Sequence, residues 1–193
     1  MPPDSRLSAD QLRVCAEAMA GKRGKIPAPM IAWLRSPELA ARAQRLGEAA
    51  RFDTTIEPAL SEMAILVCAR HWTSHVEWNA HKAIALRAGL APEIVADIAA
   101  RRRPGFADER SRAVYEVSRA MLEHRRMSDA LYGHAIDHLG EQGLVELVMI
   151  LGYYCLVSLT LNAFEIGLPQ GVAVELEDPD FAGSPPPGPS KET

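Results

Sequence analysis

The sequence predicts an all-α protein, and three observations carry that expectation. Hydrophobic residues make up 48% of the 193 positions but aromatics only 6%, so the core is built largely of Ala, Leu, Ile and Val, a composition that favours helix. Runs with helical spacing are punctuated by Pro, Gly and capping residues. Neither a useful length of strand alternation nor an internal repeat is present. The length suits one domain able to bury a core.

Taken in order, SADQLRVCAEAMA (8–20) reads as a short amphipathic helix stopped at Gly21 to Gly24. Pro27 and Pro29 force an extended entry to a helical turn over Met30 to Leu34, which lays Trp33 against the body. Ser36-Pro37 reads as a helix start, with a side-chain cap and a proline in the first turn. Leu39, Ala43, Leu46 and Ala50 mark its apolar face. After a break at Thr54 to Pro58, helices are expected from about Pro58 to His71 and from Ser74 to Ala88, stopped at Gly89. A short one extends from Pro92 to about Ala100, then one capped by Asp108 to about Arg125 and one capped by Ser128 to about Leu139. The last begins near Glu141 and runs to about Ile166. The organisation expected is an N-terminal helix and linker (1–25), a helical domain (26–168) and a Pro/Gly-rich, partly disordered tail (169–193) in which VAVEL can pack along a partner.

Net charge is -4 and the basic residues are scattered, which argues against a nucleic-acid partner. Arg101, Arg102 and Arg103 read as a solvated helix end. Cys15, Cys68 and Cys155 are far apart without a CxxC pair. Neither a disulfide framework nor a zinc site is expected, and a reducing cytoplasm fits. The N-terminus lacks the apolar core of a signal peptide. Leu147 to Phe164 is uncharged and near the lower length limit for a membrane span, but Gly152, Ser158, Thr160 and Asn162 interrupt it and Glu flanks it. It reads as a central core helix completed by a neighbouring subunit, with no membrane partner.

The chemistry concentrates in EMAILVCARHWTSHVEWNAH (62–81). Ser74-x-x-Glu77 matches a capping box. Glu77 and His81, four apart, share a helical face. They form either an exposed stabilising pair or an acid–base pair, the carboxylate fixing the imidazole tautomer and raising its basicity; Trp78 favours a semi-buried pocket. Glu62 opens an apolar helix, where sequence alone slightly favours a solvent-facing carboxylate; turned inward, desolvation would raise its pKa. His71, His75, Glu77 and His81 are metal-ligand types without a continuous face, so no metal is expected. Arg51 and Arg70 are candidates to hold a substrate carboxylate. Tyr153, Tyr154 and Asn162 read as core or interface groups.

SPELAARAQRLGEAARF (36–52), LSEMAILVCARHWTSHVEWNAHKAIALRAGL (60–90) and ELVMILGYYCLVSLTLNAFEI (146–166) together resemble the carboxymuconolactone decarboxylase family, which includes the alkylhydroperoxidase D-like proteins. The resemblance spans roughly residues 26 to 168. It implies an antiparallel helical bundle, an obligate homo-oligomer (trimer or hexamer) and a small-molecule substrate. The peroxidase branch carries Glu, then CxxC, then His. With His81 as that histidine, the glutamate falls on Glu62 and the two thiols fall on Ser74 and Glu77. The relay ends are kept and the thiols are not. The resemblance therefore implies a cofactor-free lyase or proton-transfer enzyme on a small organic acid or lactone, with Glu62, Glu77 and His81 catalytic. Trp33, Arg51, Arg70, Ser74, His75 and Trp78 are expected at the substrate. A thiol peroxidase and a non-enzymatic binding or assembly protein are the alternatives.

Overall fold

A computed structural model describes residues 6–178. The described residues form eight helices joined by turns and loops: α1 (Ala9–Ala20), α2 (Met30–Trp33), α3 (Pro37–Phe52), α4 (Pro58–His71), α5 (His75–Arg87), α6 (Pro92–Ala99), α7 (Glu109–Glu123) and α8 (Asp129–Ala163). No strand occurs among them. They fall into two compact units that divide between Asp53 and Thr54.

In the first unit, Ser8 closes a full capping box with Gln11 at the start of α1. Val14, Cys15, Ala18, Met30, Leu34, Ala40 and Ala41 form the core, with Trp33 packed at its edge. Two expectations are corrected here. The Ser36 side chain makes no cap bond, although Pro37 occupies the first turn as expected. The buried face of α3 is Ala40, Ala41, Gln44, Gly47 and Ala50, while Leu39 and Leu46 are exposed. Small residues let the α3 backbone pack closely, so the larger leucines are left outside.

In the second unit α4 is the enclosed helix. Every residue from Leu60 to Arg70 is buried, with α5, α6, α7 and α8 packed around it. An apolar helix covered on all sides has no solvent face. The long C-terminal helix, read from the sequence as a core helix completed by a neighbouring subunit, packs against α4 and α7. That helix buries Leu147, Ile150, Leu151, Tyr154, Val157 and Leu161 but leaves Val145, Val148, Met149, Leu156 and Leu159 exposed. By length and composition α8 is able to cross a membrane, yet 56% of its most apolar window is buried inside the chain. The helix is interrupted at Gly140 (φ 71°, ψ 172°), a conformation open essentially to glycine alone, and this divides it where the sequence predicts. Asp108 and Ser128 cap α7 and α8 as expected.

The segment after α8 returns over its own chain. Leu176 is buried, and Arg70 Nη2 donates to the Glu177 carbonyl at 2.8 Å. Of VAVEL, which the sequence allows to pack along a partner, Leu176 is enclosed by its own chain and Glu175 accepts from Trp78, whereas Val174 stays exposed. The remainder of the predicted tail, 179–193, lies outside the described residues.

Candidate active site

The short connection between α4 and α5 places the chemistry. Thr73 adopts a left-handed backbone (φ 46°), costly for a β-branched residue. It turns the chain so that α5 runs back along α4 and sets His81 opposite Glu62. Thr73 is held there by Arg70 Nη1, which donates to its hydroxyl at 3.1 Å.

His81 lies between two carboxylates. Its Nδ1 is 2.6 Å from Glu62 Oε2, across helices, and its Nε2 is 2.8 Å from Glu77 Oε1, one turn back on α5. All three residues are buried, with Glu62 at 4%, Glu77 at 6% and His81 at 3% exposure. The solvent-facing placement of Glu62 and the exposed reading of the Glu77–His81 pair are therefore both corrected. The reason for Glu62 is that α4 has no open face. A neutral imidazole has one N–H and would turn a lone pair toward one carboxylate, whereas an imidazolium donates to both. Burial opposes that charge, but the Glu77 carboxylate and the hydrogen bonds to Glu62 and Glu77 outweigh it, so the pKa of His81 is raised above the usual imidazole value. Tyr154 presents its ring edge-on to the imidazole at 5.1 Å and packs in the same way on Tyr153. The trio can hold and pass a proton in a site closed to water.

The expected capping box at Ser74 does not form. Ser74 stands at the N-cap of α5 with ψ 92°, and its hydroxyl is fully buried without a hydrogen-bond partner. Ser8 and Ser128, which do cap, have ψ near 160°. The different angle turns the Ser74 hydroxyl off the helix axis, and Glu77, its intended partner, is engaged by His81. Beside it, His75 has an Nδ1 enclosed without a partner, and burial lowers its pKa. Trp78 is 2% exposed and donates through Nε1 to Glu175 Oε2 at 3.2 Å. Lys82 Nζ reaches the same oxygen at 2.6 Å, so the C-terminal segment is tied to α5.

Arg70 is buried, and its guanidinium is satisfied by Thr73 and by the carbonyls of Ala99 and Glu177. It forms one wall of a cleft of about 690 Å³ that also contains Arg101, Arg102, Arg103 and Arg119. Glu62, Glu77 and His81 are not in its walls. The arginine triplet, read from the sequence as a solvated end, thus contributes to an arginine-rich concavity, though Asp97 and Glu116 pair two of its members, Glu123 pairs Arg119, and Asp178 also lines the walls. Sequence reading missed this cleft because its residues come from four separate segments. Trp33 and Arg51 belong to the first unit, where Trp33 packs on the core and Arg51 lies over the Phe52 ring at 5.0 Å.

Two further clusters have no local signal in the sequence. Cys68 and Cys155, far apart along the chain, bring their sulfurs to 3.6 Å. Among the described residues, Glu109, His134 and His138 offer ligand atoms within 4.8 Å of one another, a spacing a single divalent ion could draw together. That group is remote in sequence from the histidines considered as ligands.

The chain matches no known family pattern and no curated protein.

Proposed function

We propose that the chain is a cofactor-free enzyme of the carboxymuconolactone decarboxylase-like type that moves a proton on a small organic acid or lactone. The observation that carries this reading is the imidazole of His81 clamped between the Glu62 and Glu77 carboxylates in a water-excluded site. Desolvation and neighbouring charges are the means by which enzymes tune proton donors, and pKa shifts of this kind concentrate at functional sites. The helical architecture and the spacing of Glu62 from His81 support the same type of bundle.

In this reading the substrate carboxylate leaves as CO2 and the electron pair stays on the adjacent carbon as a dienolate. His81 Nε2, released from Glu77 by rotation of that side chain, delivers the proton. Glu62 remains on Nδ1 and holds the imidazole in register. When product leaves, a proton from solvent returns to Nε2 and Glu77 takes back the hydrogen bond. Trp78 and Tyr154 keep water away from the transfer, which strengthens the electrostatics of the site.

The exposed apolar face of α8, from Val145 to Leu159, fits a homo-oligomer. The unbridged cysteines fit a reducing, cytoplasmic setting. The arginine cleft favours a second reading, a protein that binds an organic anion without turning it over. Comparing His81→Gln with Arg101→Ala separates the two. In the enzyme reading His81→Gln slows CO2 release by about 10²-fold or more while anion binding survives; in the binding reading no parent turnover exists and Arg101→Ala removes the only measurable function.

A further inference from the structure

Cys68 and Cys155 stand 87 positions apart and take no part in the proton relay. Cys68 lies in the last turn of α4 and is fully buried; Cys155, on α8, is partly open to solvent. Their sulfurs are 3.6 Å apart, close enough for one thiol to donate to the other. A disulfide bond needs about 2.05 Å, so the two sulfurs start from 3.6 Å and close by about 1.5 Å to form it. A second donor faces the same atom: Trp72 Nε1 is 3.3 Å from Cys155 Sγ.

We propose that Cys68 and Cys155 are a redox-active dithiol site that takes a small-molecule disulfide as its oxidant and holds the result as a bond between α4 and α8. The two thiols differ in the way that stepwise exchange requires. Cys155 is the accessible one, and its sulfur receives hydrogen bonds that stabilise a thiolate. The hydrogen bond from Cys68, joined by that from Trp72 and against the effect of burial, pushes its pKa down to about 6. Cys68 is shifted upward, first by the same hydrogen bond and then by burial, so it stays protonated. Low-pKa exposed thiols attack and sheltered neighbours resolve.

The chemistry balances in two steps. The Cys155 thiolate attacks one sulfur of the disulfide, forming a mixed disulfide and expelling the other half as a thiolate. Cys68 then attacks the Cys155 sulfur, forming the Cys68–Cys155 bond, expelling the second half, and giving up its proton to that leaving thiolate. Two protein thiols are oxidised and one disulfide is reduced to two thiols. Excess external dithiol reverses the sequence.

This inference does not rest on the proton relay, and its test reads a different quantity. The full chain is equilibrated with mixtures of reduced and oxidised glutathione and assayed by intact mass and thiol titration, with melting curves confirming that each variant is folded. The wild type is expected to lose two hydrogens, retain no glutathione, keep Cys15 titratable, and return to three thiols with dithiothreitol. Cys68→Ser is expected to stop with one glutathione on Cys155; Cys68→Ala provides the same arrest if serine is not tolerated at the buried position. Cys155→Ser is expected to take up none. The rate of alkylation at Cys155 by iodoacetamide should have its midpoint near pH 6, against about 8.5 for a free cysteine. The proposal is overturned if the wild type stays fully reduced in oxidised glutathione, if it accumulates a stable glutathione adduct, or if Cys155→Ser is modified as readily as the wild type.

Discussion

Glu62 and His81, 19 positions apart and on different helices, meet at 2.6 Å between Oε2 and Nδ1 inside the second unit. The contact joins the enclosed helix α4 to α5 and sets the charge state of the imidazole. Removing Glu62 leaves Glu77 to balance the imidazolium but strips a buried ring N–H of its acceptor, which typically costs about 1–3 kcal/mol. Glu62→Ala is expected to lose stability in that range, and Glu62→Gln markedly less because the amide still bonds to the ring. Urea denaturation of the two variants checks the order.

The raised pKa of His81 has a defined consequence for stability. Folding holds the proton more tightly than the unfolded chain, whose imidazole titrates near about 6.5. The contribution is complete below that value and is lost as pH rises through the folded pKa. The wild type should therefore lose stability relative to His81→Gln on the alkaline side. Denaturation midpoints of both proteins between about pH 6 and pH 9 provide the measurement. Ring-carbon NMR titration should place the His81 midpoint above about 6.5 and move it down in Glu62→Gln and Glu77→Gln.

Gly140 breaks α8 with a backbone that other residues rarely adopt, while no atom lies within 4 Å of an added methyl group. Gly140→Ala is thus a backbone test without a steric one. It should cost about 1–3 kcal/mol, read as a lower urea midpoint with an unchanged slope.

Glu175 ties Trp78 and Lys82 from the C-terminal segment. It is partly exposed, so Glu175→Ala should cost less than about 1 kcal/mol. The Trp78 environment should nonetheless change, visible as a shift in fluorescence, and the segment around 175 should be cut sooner by a protease.

The exposed stripe on α8 predicts that Leu156→Glu combined with Leu159→Glu yields a smaller species than the wild type in light scattering. Equal masses for the two would remove the oligomer from the account.

Most helix boundaries are legible in the sequence because they rest on local chemistry, as at Asp108, Ser128, Gly89 and Gly140. The direction of burial is less legible. On α3 the sequence points to Leu39 and Leu46, but close packing selects the alanines and Gly47 instead. Glu62, Glu77 and His81 stand out through spacing and residue type, yet whether they meet is a tertiary question that the enclosure of α4 answers. Ser74 fails as a cap through one backbone angle that no residue code specifies. Cys68 with Cys155, and Arg70 with the 101–103 triplet, are pairings made by folding alone; no short-range pattern announces them.

The central claim is tested most directly by coupling CO2 release to proton delivery on a carboxylate-bearing lactone in deuterated water. The wild type is predicted to place one solvent deuterium on the carbon at which the dienolate is protonated, giving a singly deuterated product, and His81→Gln to slow turnover by about 10²-fold or more. Lactone turnover by His81→Gln at the wild-type rate, or no CO2 release by the folded wild type, contradicts the account.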